Sequence, residues 1–109
     1  MDVVSINDLA DAQLAQARAA DSGRGATTVH GRSGARLRQT LIALDAGRIL
    51  GEHQSPGDAS LICLRGKVQI RTSDDAIDLN AGEMVAIPAQ RHDVLAIEPS
   101  VMILTVALH

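Results

Sequence analysis

The chain has 109 residues, enough for one domain with a single core and too few for two. It carries a net charge of −3 and no Phe, Tyr or Trp. The core must therefore be aliphatic, and neither base stacking nor a broad basic surface supports binding to nucleic acid.

The N-terminal stretch "MDVVSINDLADAQ" has acidic residues where a secretory signal needs positive charge. No apolar run reaches the ~18 residues of a membrane span. The expectation is a cytoplasmic protein that does not enter a membrane. Residues 1–25 predict one helix. Ser5 is placed to cap it, and Asp8 follows three residues on. Ile6, Leu9, Ala10, Leu14 and Ala17 recur on one helical face, and Gly23 and Gly25 end the pattern.

From residue 26 to residue 109 the period changes to that of strands. "ATTVHG" and "RLRQTLIAL" are separated by "RSG", a hairpin signal. Arg32, Arg36 and Arg38 fall in this region as a loose basic cluster, read as a solvated strand face. "DAG" at positions 45–47 turns the chain again. "SLICL" and "KVQIRT" meet at Arg65-Gly66, and in the second Val68 and Ile70 alternate with polar residues. Cys63, the lone cysteine, excludes an internal disulfide and reads as a small buried hydrophobe. "AIDL", "EMVAIP", "HDVLAI" and "VMILTVAL" complete the set. Many short strands joined by Gly and Pro turns predict an all-β sandwich or barrel.

The run from about Leu37 to Leu108 resembles a small cupin, a β-barrel of jelly-roll topology. In the first cupin motif a glycine is followed after five residues by His-X-His, then by a glutamate and a closing glycine. Gly47, His53 and Gly66 fit that spacing, whereas the second histidine falls on Ser55 and the glutamate on Ala59 or Ser60. In the second motif a glycine is followed by proline, glycine and histidine. Gly82 and Pro88 fit; Gln90 stands at the second glycine, and His92 arrives one residue early.

The resemblance implies a cavity with His53 and His92 as its retained metal positions. The full ligand set is three imidazoles and a carboxylate, which suits zinc, iron, nickel or manganese. With half of that set kept, a divalent metal would be weakly held. Arg38, Gln39, Ser55 and Arg91 are the other candidates to meet a ligand. Arg38 and Gln39 are adjacent in a strand, so only one of them can face the cavity. The alternation in "HDVLAI" is apolar on both faces and leaves the direction of His92 open.

Three functions are compatible with these residues. The first is a small-molecule binding or sensing protein with a His53/His92 pocket for a small anionic or apolar ligand. The second is a metal-dependent enzyme of the dioxygenase or isomerase kind, and the third is a ligand-free structural dimer module. The missing glutamate argues against the second, and the retained histidine pair against the third. A homodimer is expected, because an open barrel leaves sheet edges that need cover.

Overall fold

The structure is a computed structural model that describes residues 1–53 and 57–108. One helix, α1 (Ile6–Ala19), precedes nine strands: β1 (Arg24–His30), β2 (Leu37–Leu44), β3 (Ile49–His53), β4 (Asp58–Arg65), β5 (Lys67–Arg71), β6 (Ala76–Asn80), β7 (Met84–Ala86), β8 (His92–Ala96) and β9 (Ser100–Ala107). They form two antiparallel sheets, ordered β1-β2-β9-β4-β7 and β3-β8-β5-β6. The non-sequential neighbours make this a jelly-roll.

The core between the sheets is aliphatic, as the composition requires. Ile42, Leu44, Leu61, Cys63 and Met102 from the first sheet meet Val68, Ile70, Leu79, Val94 and Ala96 from the second. Full burial of each large side chain is worth about 1.5–3 kcal/mol. Cys63 is wholly buried, and its thiol lies 3.3 Å from the Arg65 carbonyl, to which it donates. Burial pushes that thiol's pKa above the ordinary value.

The helix covers the outer face of the five-stranded sheet. Ser5 Oγ accepts from the Asp8 N–H at 3.2 Å, so the capping residue is the expected one. Ala10 and Ala17 are buried against Leu41, Ala43 and Val101, with Ile6, Leu9 and Leu14 packed around them. The predicted apolar face is thus the observed contact face. Alanine at the closest points lets the helix sit low. Gly25 serves the same end from the strand, since a Cβ there would lie 2.6 Å from the Gln13 carbonyl oxygen.

The β4–β5 connection is the single residue Gly66, at φ +79. Its Cβ position is occupied by the Pro99 carbonyl and the Ser100 hydroxyl. Ser100 is wholly buried. Its Oγ accepts from the Lys67 N–H at 3.0 Å and lies 2.7 Å from the Glu98 carbonyl and 3.1 Å from that of Lys67. One hydroxyl thereby ties two connections together.

Candidate functional site

His92 opens β8, whose burial alternates strictly along the strand. His92, Val94 and Ala96 are buried, while Asp93 and Leu95 are partly exposed. Val94 and Ala96 belong to the core between the sheets, so His92 lies on the inner face, only 3% exposed. The turn before β8 has absorbed the residue missing from the second motif. His92 Nδ1 lies 3.1 Å from the Gln90 carbonyl. A carbonyl only accepts, so Nδ1 donates, and in the neutral ring Nε2 is then the basic nitrogen.

The partner strand is β3. Leu50 pairs with Val94, and His53 with His92. Three steps along β3 match two along β8, so β3 carries a β-bulge between Leu50 and His53. Leu50 packs against the inner core. Strict alternation from Leu50 would give position 53 to the outer face. The bulge changes the count and sets position 53 directly opposite His92. Gly51 lies inside that irregularity, a common place for glycine in a strand.

The carboxylate of the family pattern has no counterpart here. Ala59 shares the parity of Leu61 and Cys63, which face the core, and has no ligating atom. Ser60 falls on the opposite face, paired with Thr105 and Ala86. Ser55 lies outside the described residues, as does the side chain of His53. Among the described residues, no three of His, Cys, Asp and Glu gather as a metal site. The described residues do not make up the four-ligand shell.

Arg38 and Gln39 fall on opposite faces of β2. Arg38 shares the parity of Ile42 and Leu44 but is exposed at the strand's start, where its Nε donates to the Ala35 carbonyl at 3.3 Å. It lines a recess with Thr28, His30 and Arg32. Gln39 shares the parity of Leu41 and Ala43, the helix-bearing face, and its Nε2 donates to Thr105 Oγ1 at 3.3 Å. Arg91 is exposed and lines an open groove of about 510 Å³ with Arg71, Ser73 and Asp93. Within that groove Arg71 grips Asp93 through two bonds of 2.7 and 2.8 Å. The Arg71 guanidinium bond holds the Asp93 carboxyl below the usual carboxylate range. Arg38, Gln39 and Arg91 therefore occupy three separate places.

A small cavity of about 170 Å³ is lined by Ile70 and Ile77 of one sheet, Val85 and Ala86 of the other, and Thr72, Asp75, Pro88 and Gln90. Gln90, whose carbonyl holds the His92 ring, is one of the cavity's lining residues, whereas His92 itself is not among them. The sequence pattern gives Ile70, Ile77 and Val85 no site role. Their apolar character signals core, and only the gap between the sheets identifies them as lining.

The sequence matches no protein-family model and no curated protein. Solved structures do resemble the fold. A conserved protein of unknown function from Streptococcus pyogenes superposes with a TM-score of 0.73 at 28% identity, over 83% of this chain and 78% of that one. A cupin superfamily protein from Desulfitobacterium hafniense gives 0.72 at 20% identity, over 79% and 78% of the two chains. A cupin-2 domain-containing protein from Shewanella frigidimarina gives 0.64 at 22% identity, over 76% and 79%.

Proposed function

We propose that this chain, which has the jelly-roll fold of the cupin superfamily, binds a small molecule between its sheets, with His53 and His92 as the polar handles. The observation that supports this reading most is the β3–β8 register. A buried histidine on the inner face stands directly opposite a second histidine position, through a bulge that alternation alone would not supply. A buried imidazole with one nitrogen committed to Gln90 is oriented before a ligand arrives, which lowers the cost of binding.

The 170 Å³ cavity limits the ligand. At ~30 Å³ for each water of liquid, it holds about six waters, or a ligand of similar heavy-atom count. Its walls are mostly apolar, so a compact molecule with one polar end fits best. Among the described residues no carboxylate joins His92 and the His53 position, so a divalent ion held by the two imidazoles would be held weakly. The binding role is therefore preferred to a metal-dependent reaction. Pairing into a homodimer remains part of this proposal, because β1, β7, β3 and β6 are all sheet edges.

The absence of aromatic residues supplies the test. In D2O, after amide exchange, the aromatic proton region of the NMR spectrum contains only four imidazoles. Titration with acetate, propionate and isobutyrate should move the His53 and His92 ring signals together and saturably for at least one of them. Signals at both rings that ignore every ligand of this size would defeat the proposal.

A further inference from the structure

The β1–β2 hairpin concentrates cationic charge in a chain that is acidic overall. Residues 23–44 contain four arginines and His30 and no carboxylate, leaving six cationic and thirteen acidic residues elsewhere. At the hairpin tip lies a recess of about 300 Å³, lined by Thr28, His30, Gly31, Arg32, Ser33, Arg38 and Thr40. Every polar side chain in that lining can donate a hydrogen bond, and none is acidic.

The recess has a built frame. The Ala35 N–H donates to the Arg32 carbonyl at 2.8 Å, closing a turn with Gly34 at φ +90 in its third position. Arg38 Nε then donates to the Ala35 carbonyl, which pins the guanidinium to the turn and leaves its terminal nitrogens for other partners. Gly31, at φ +105, sits where a Cβ would meet the Leu37 carbonyl at 2.8 Å, so the two strands close tightly beneath the recess. Among the described residues, neither Arg32 nor Arg38 forms an ion pair. Two unneutralised guanidiniums lining one recess repel, and an anion bound there relieves that repulsion.

We propose that this recess binds the phosphate group of a small phosphorylated ligand, with Arg32 and Arg38 as its charge partners and His30, Ser33, Thr28 and Thr40 as further donors. The donor count selects phosphate over carboxylate. Two guanidiniums, an imidazole and three hydroxyls exceed what two carboxylate oxygens can accept, whereas a phosphate offers more oxygens and more charge. The volume, about ten waters' worth at ~30 Å³ each, holds a phosphate with a short organic remainder. The site does not depend on the His53/His92 pocket.

The test is titration of the full chain with inorganic phosphate at low, constant ionic strength, followed through the amide signals of Gly31, Ser33 and Gly34 and the His30 ring. Saturable binding at one phosphate per chain is expected, with a dissociation constant on the order of 1 mM. Arg32→Gln and Arg38→Gln should each weaken it at least about tenfold, the loss of one charge-assisted contact. Arg18→Gln, on the helix, should leave it within about twofold, since distant exposed charges are screened. Glycerol 2-phosphate should compete, and acetate at equal ionic strength should not. Equal binding by acetate would overturn the phosphate assignment. So would unchanged affinity in both recess variants whose folded spectra match wild type. Adsorption to phosphatidic acid vesicles without saturable binding of free phosphate would overturn the small-ligand reading.

Discussion

Replacing Ser100 with alanine removes one oxygen atom from a wholly buried position. The Lys67 N–H then loses its partner. The Lys67 carbonyl keeps the Ile97 N–H at 2.9 Å, and one hydroxyl proton can serve only one of the two carbonyls at a time. The cost is therefore mainly one stranded N–H, roughly 1–3 kcal/mol and centred near 2. At about 4–8 °C per kcal/mol for a domain near this size, the melting temperature should fall by on the order of 10 °C. Urea unfolding followed by far-UV circular dichroism measures this, because the chain has no tryptophan to report by fluorescence. Ser73→Ala, at an exposed turn, is the control and should change stability by less than ~0.5 kcal/mol. An equally small effect for Ser100→Ala would refute the claim that this hydroxyl ties the two connections together.

The remaining predictions concern titratable groups and the metal. Cys63 should react with a thiol reagent only on unfolding. Its pKa is raised in the fold, so its stabilising effect is complete below about pH 8.5, the ordinary thiol range, and declines as pH rises above it. Cys63→Ala should flatten that alkaline slope in a series of melting temperatures. For Asp93 the sign is opposite. Its pKa is lowered in the fold, so the Arg71 contact contributes above about pH 4 and is lost as pH falls through the depressed value. Asp93→Asn should remove part of the acid-side loss of stability, and an unchanged acid limb would contradict the pairing. Protein purified without chelator or affinity tag should carry well below one divalent metal per chain by elemental analysis. A full equivalent would show a ligand set beyond the two histidines.

Periodicity was enough to identify the helix and most strands. Ile6, Leu9, Ala10, Leu14 and Ala17 form the contact face read from their spacing, because nothing in the tertiary structure opposes that pattern. The direction of His92 was not legible. Leu95 and Ile97 are as apolar as Val94 and Ala96, and only the closing of two sheets decided which set went inside. The β3 bulge was hidden for a related reason. "ILGEH" contains a glycine, but nothing local says how many residues of one strand will oppose the other. Nothing local in the sequence signals that Ser100, beside Pro99, is buried. Its burial depends on Gly66, 34 positions away, leaving room for its hydroxyl. In the sequence Arg32 and Arg38 have the pattern of a solvated face. Their shared recess depends on the left-handed glycines that fold the hairpin tip back.

The pairing of the two histidines carries the functional reading, and it can be measured without knowing the ligand. Directly opposed residues in an antiparallel pair have Cβ atoms about 4.5–5.5 Å apart and lie on one face of the sheet. With only four imidazoles in the aromatic proton region, a nuclear Overhauser cross-peak between the His53 and His92 rings can be assigned from the His53→Ala and His92→Ala spectra. The expected result is a cross-peak in wild type that disappears in each variant. A His92 ring that shows cross-peaks to Val94 methyls but none to His53 would contradict the shared pocket and leave His92 as an ordinary core histidine.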